Sequence, residues 1–188
     1  KYNTTATIPA DAAYGQYTFN NKGSSNKGGG EPNPGVTIEK KNPVQTIDMI
    51  VRKDWNQDTA DKRPSSITFK VQYQENNTGD WKDLKQSGNT YLFDGDSNYA
   101  SANVVEVTLT SSDQSSWAVY IWTKTVSNLP VSVTKDNTKK TYQYRVQEIK
   151  YNNDTAIENG KISINSGIYR ANNNGISSVV SQNKGEAI

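Results

Sequence analysis

Tyr142-Gln143-Tyr144-Arg145-Val146-Gln147-Glu148 alternates apolar and polar residues without a break, the period of a strand with one buried face. Tyr142, Tyr144 and Val146 fall on one side, Gln143, Arg145 and Gln147 on the other. The same parity carries Glu148 onto the apolar side. A carboxylate there is costly unless it is paired, hydrogen-bonded or protonated. A second stretch shows the same anomaly with the opposite charge. In Ile47-Asp48-Met49-Ile50-Val51-Arg52-Lys53-Asp54-Trp55, the residues Ile47, Met49, Val51 and Trp55 share a face, and Lys53 falls on it too. An inward Lys near the start of this region and an inward Glu far downstream frame every other reading.

Strand signals surround both stretches. Ser66–Tyr73 alternates with Ile67, Phe69, Val71 and Tyr73 on one side, and Val105, Val107 and Leu109 mark a further strand. Trp117–Val126, Val131–Thr134, Lys161–Ile164, Gly167–Ala171 and Gly175–Asn183 complete the set. Glu75–Asp80 and Lys135–Lys140 are turn clusters, and Trp81–Ala102 is weakly patterned, which predicts one short strand and a large loop. No segment has a helical period with caps. Short strands separated by turn clusters predict an all-β domain, a sandwich or a barrel, over residues 46–188. Upstream, residues 1–22 read as a strand pair, Tyr2–Ile8 and Tyr14–Phe19, and residues 23–45 as a flexible linker that opens with a Gly/Ser/Asn-rich run.

Composition narrows the function. The 188 residues are 32% hydrophobic with a mean hydropathy of −0.85, which suits strands that each expose a face. A net charge of +2 gives no reason to expect a nucleic-acid partner, and no apolar run is long enough to insert in a membrane as a helix. The stretch carries no signal peptide and reads, if exported, as a mature fragment. The chain has no Cys and no His. That removes disulfides, thiol nucleophiles, the usual general base and the usual transition-metal ligands, so no metal or cofactor is expected. A turnover enzyme would have to run on carboxylates, Lys, Tyr or Ser alone.

The order Val51-Arg52-Lys53-Asp54-Trp55, Arg63-Pro64-Ser65-Ser66-Ile67, Trp117, Asn128-Leu129-Pro130, Tyr142–Glu148 and a terminal Gln182-Asn183-Lys184 resembles the collagen-adhesin B-type domain of Gram-positive surface proteins and pilins. The resemblance implies an immunoglobulin-like β-sandwich of the inverse type, outside the cell and attached to its wall. It also implies a spontaneous isopeptide bond in which Lys53 is the nucleophile, Asn183 the carboxamide partner and Glu148 the promoting acid. The chemistry is sound on its own terms. Burial disfavours the charged form of each group, leaving an amine able to attack and an acid able to polarise the amide and pass protons as ammonia leaves. Such a bond is a single-turnover maturation, not an enzymatic activity. By the same resemblance the domain is a structural stalk or shaft module. Its partners would be neighbouring domains or subunits of the same fibre, with a host matrix protein or glycan reached through the parent protein.

Three smaller readings complete the sequence. Gly15-Gln16-Tyr17-Thr18-Phe19-Asn20-Asn21-Lys22 resembles the end of another such domain, with Asn21-Lys22 echoing Asn183-Lys184, so residues 1–22 are the tail of a preceding domain, a strand pair donated to a neighbour, or a hairpin packed on its own domain. Glu39-Lys40-Lys41-Asn42-Pro43 resembles the segment through which sortases join pilin subunits, which makes Lys41, with Asn21, a candidate intersubunit linkage. Asp94-Gly95-Asp96-Ser97-Asn98 has alternating oxygen ligands but lacks the Gly and Glu of a calcium loop, and reads as an Asx-rich turn. The competing function is a carbohydrate- or protein-binding module without a cross-link, using exposed aromatic rings such as Trp81 and Tyr99.

Overall fold

The computed structural model describes residues 7–8, 12, 15–19, 36–40, 44–56, 58–135, 138–152, 155–164, 167–181 and 185–187. The chain divides into two compact units, Lys1–Pro43 and Val44–Ile188. In the first, β1 (Gly15–Phe19) pairs antiparallel with β2 (Val36–Lys40), Tyr17 opposite Ile38. The second strand of this unit therefore comes from the stretch read as linker, where Val36 and Ile38 carry a short alternation of their own. Of the expected strand Tyr2–Ile8 only Thr7 and Ile8 are described, and neither is in a strand.

The second unit is all-β, with three short 3₁₀ turns and no α-helix among the described residues. It opens with β3 (Thr46–Asp54), β4 (Ser66–Glu75), β5 (Thr78–Asp83), β6 (Lys85–Ser87), β7 (Thr90–Leu92), β8 (Asn103–Val104) and β9 (Glu106–Thr110). It continues with β10 (Gln114–Ser115), β11 (Ala118–Pro130), β12 (Ser132–Lys135), β13 (Thr138–Tyr151) and β14 (Thr155–Ala156). The last strands are β15 (Lys161–Ile164), β16 (Gly167–Arg170), β17 (Val180–Ser181) and β18 (Gly185–Ala187). One sheet runs β10-β11-β3-β18, with β18 parallel to β3. A larger one is built on β12-β13-β4-β5, to which β9, β14 and β17 also pair. The region 81–102 holds more than one short strand: β6 and β7 lie within it and, with β8 just beyond, form a small sheet of their own. Asp96 closes the turn that follows it by accepting a hydrogen bond from the Phe93 backbone N–H.

The inward faces are those the alternation assigns. Ile47, Met49 and Val51 from β3, Ile67, Phe69, Val71 and Tyr73 from β4, and Tyr142, Tyr144 and Val146 from β13 join one buried cluster with Trp122 and Leu129 of β11. Each such side chain withdrawn from water contributes about 1.5–3 kcal/mol, so register is strongly specified: a slip of one residue would turn the whole row outward. Along β13 the even-numbered residues from Tyr142 to Glu148 are buried, and then Tyr151 is. The change of parity has a cause. Glu148 pairs with Phe69 and Lys150 with Thr68, so Ile149 is an extra residue, a bulge next to the acid.

Candidate functional site

Lys53 and Glu148 meet, as their shared parity predicts. Lys53 Nζ donates to Glu148 Oε1 at 2.6 Å, and the Glu148 side chain is 5% exposed. A third side chain closes the arrangement. Tyr169 Oη accepts from Lys53 Nζ at 2.6 Å and donates its own proton to Glu148 Oε2 at 2.9 Å. Three hydrogen bonds thus form a closed triangle of amine, carboxyl and phenol. Its members come from β3, β13 and β16, three strands in three different sheets.

Each strand delivers its residue for a local reason. On β3, Lys53 stands opposite Trp122 of β11, after the buried Val51 and before the buried Trp55. On β13, the bulge at Ile149 shifts the register just past Glu148, and pairing resumes at Lys150. Tyr169 sits on a hairpin arm, opposite the buried Ile162. Aromatic rings wall the amine: Nζ lies 5.0 Å from the Trp55 ring centroid and 5.2 Å from that of Tyr169, and Trp122 meets Trp55 edge-on at 5.0 Å. A cation or a polarised amine is well received against such faces. Over the acid, the turn Asn172–Gly175 comes down tightly. Gly175 has φ +79°, and a Cβ there would lie 3.0 Å from Glu148 Cβ, so only glycine fits without something shifting. Ser177 holds this segment to β13 by accepting the Val146 backbone N–H at 2.9 Å.

Burial, first, and then the adjoining Glu148 push the Tyr169 hydroxyl far above tyrosine's ordinary range. The phenol therefore stays protonated and keeps donating to Glu148 at any ordinary pH. The triangle opens on a cleft of about 450 Å³, lined among others by Trp55, Asn56, Asp58, Phe69 and Asn173. A group entering that cleft would reach an amine and a carboxyl already in contact with each other. Among the described residues no group of three or more carboxylates could hold a metal ion.

Sequence reasoning missed Tyr169, because nothing local distinguishes it from the other tyrosines; only the hairpin's place over β3 does. Asn183, the expected carboxamide, lies outside the described residues, as do Lys41 and Asn21. The strands on either side of Asn183 are informative. Val180 faces the core and pairs with Tyr144, while Val179 is exposed. Gly185 stands opposite Met49 and Ala187 opposite Val51, so the described last strand advances toward Lys53 with rising residue number, and Asn183 precedes it. Asn173, in contrast, lines the cleft itself, its Nδ2 donating to the Ile176 carbonyl at 3.0 Å.

The rings named for a binding surface are engaged elsewhere. Trp81 is half-buried with the Arg145 guanidinium 4.3 Å over its centroid, and Tyr99 donates to the Asp83 carbonyl at 2.6 Å. Trp117 is 72% exposed beside the exposed Val119, with the Arg52 guanidinium 5.8 Å from its ring centroid. No described helix is long and apolar enough to cross a membrane. A scan against protein-family models found no match, and searches of curated proteins and of solved structures found none either.

Proposed function

We propose that residues 46–188 are an immunoglobulin-like β-sandwich serving as a structural stalk or shaft module on a Gram-positive cell surface, tied by an isopeptide bond from Lys53 to a side-chain carboxamide with Glu148 as the promoting acid. The observation that carries this reading is the closed contact of Lys53, Glu148 and Tyr169 against aromatic walls. A largely buried Lys–Glu pair gives little stability in return for its desolvation, so another use for it is the better account. Proximity within a folded core supplies about 7–11 kcal/mol of the barrier to amide exchange. A bond tying β3 to a distant part of the chain would hold the fold under tension. The N-terminal pair β1–β2 fits a module in a tandem array, because two strands alone are only marginally stable and call for a neighbouring sheet. The role is not that of a turnover enzyme.

Intact mass tests the proposal. The parent is expected to weigh one ammonia less than its sequence, and Lys53→Ala and Glu148→Ala variants the full amount. Peptide mapping of the linked species then names the carboxamide: Asn183 is the sequence-based expectation and Asn173 the alternative that the cleft offers. A parent at full mass removes the cross-link and shifts weight to a ligand-binding module. On that second reading, which the exposure of Trp117 favours, Trp117→Ala would abolish binding to glycan or matrix-protein arrays.

A further inference from the structure

We infer that Tyr169 is a third working residue of this site: its hydroxyl fixes the direction in which the Lys53 nitrogen presents its lone pair. The inference rests on the reading that Lys53 forms an amide, and it follows from counting protons around the triangle. A neutral primary amine has two hydrogens and one lone pair in three staggered directions. Two acceptors, Glu148 Oε1 and Tyr169 Oη, each stand 2.6 Å from Nζ. Both hydrogens are therefore held, and the lone pair takes the third direction, away from Glu148 and Tyr169. With Glu148 alone, one hydrogen would be held and the lone pair would be divided between two directions.

The same count orients the acid. The phenol's single proton is spent on Glu148 Oε2 at 2.9 Å, and Oε1 receives the amine. A proton carried by Glu148 then points to neither neighbour and is free for an incoming amide oxygen. The reaction balances on these groups. The ammonium first gives one proton to Glu148, directly or through the Tyr169 hydroxyl. The Nζ–C bond forms as the carboxamide C–N bond breaks. The leaving nitrogen departs as ammonia, its third hydrogen coming from the attacking amine by way of Glu148, which ends protonated. Tyr169 is unchanged at the end. Its persistent protonation, enforced by burial and by the nearby Glu148, Tyr151 and Asp58, keeps the donor in place.

The test compares the parent with Tyr169→Phe, each recovered unfolded, refolded and sampled over time by intact mass. Tyr169→Phe keeps the ring against Trp55, 6.4 Å between centroids, and removes only the hydroxyl. The expected result is ammonia loss slowed about 10²-fold, the order that misorientation costs, with an unchanged far-ultraviolet circular dichroism spectrum. Equal rates in the two chains overturn the inference and leave the cross-link reading intact. A parent that never loses ammonia overturns both. Should Tyr169→Phe not fold, 3,5-difluorotyrosine at position 169 decides, since it keeps the shape and lowers the phenol pKa. The rate should then fall off at a lower pH than in the parent, as the phenolate ceases to donate to Glu148; an unmoved pH profile overturns the inference.

Discussion

Strands β4 and β13 carry a polar network on each face, and the two are built differently. On the outer face Arg145 Nε donates to Gln72 Oε1 at 3.0 Å, Gln72 Nε2 donates to Asp83 Oδ1 at 3.0 Å, and Lys70 pairs with Asp83 at 2.9 Å. This chain is open, and it ends in charges that water reaches. On the inner face Lys53, Glu148 and Tyr169 bond only to one another, in a ring with one side on the cleft. The difference is one of replaceability. Where water can substitute for a lost partner the energetic consequence is small, and where it cannot, the remaining group is left desolvated.

The sharpest way to break this contrast is to remove one inner partner. Glu148→Ala leaves the Lys53 charge with only the Tyr169 hydroxyl as acceptor and should cost about 3–5 kcal/mol in urea unfolding, whereas Lys53→Met with Glu148→Leu should cost much less. Equal losses from the single and the double variant would show that the inner ring is solvated like the outer chain. An intermediate effect comes from alkali. Burial raises the hydroxyls of Tyr144 and Tyr169 above their unfolded range, so the folded state holds these protons more tightly than the unfolded one. Their stabilising contribution is complete below about pH 10 and is lost above it, at about 1.4 kcal/mol per pH unit for each tyrosine. Denaturant titrations between pH 9 and 11 should therefore show stability level and then falling; a flat profile would place these phenols in water. The smallest effect belongs to the outer face. Arg145→Ala loses a ring contact and a hydrogen bond in a half-exposed position, about 1 kcal/mol, read as a small shift in the urea midpoint.

Much of the inner face was legible because a strand's period is two. That rule alone assigned Lys53 and Glu148 to one interior, and the register of β4 with β13 agrees with it. Two features follow from long-range packing and have no local signature. The bulge at Ile149 reverses parity within a strand that reads as continuous. Tyr169 arrives on a hairpin whose sequence is ordinary, and its partners lie 116 and 21 residues away. The strand Val36–Lys40 was hidden by the glycine-rich run before it, which dominates any reading of composition. Trp81 illustrates the opposite error. A loop tryptophan suggests a binding platform, yet an arginine from β13 already occupies its face.

The separation of the ring's members along the chain also sets a clock. Lys53 stands 95 residues before Glu148 and 116 before Tyr169. A chain synthesised N-terminus first at roughly 5–20 residues per second presents its amine on the order of ten seconds before either partner has been made. During that interval Lys53 is an ordinary hydrated lysine on a strand with no sheet to join. The ring can close only when nearly the whole domain has been made.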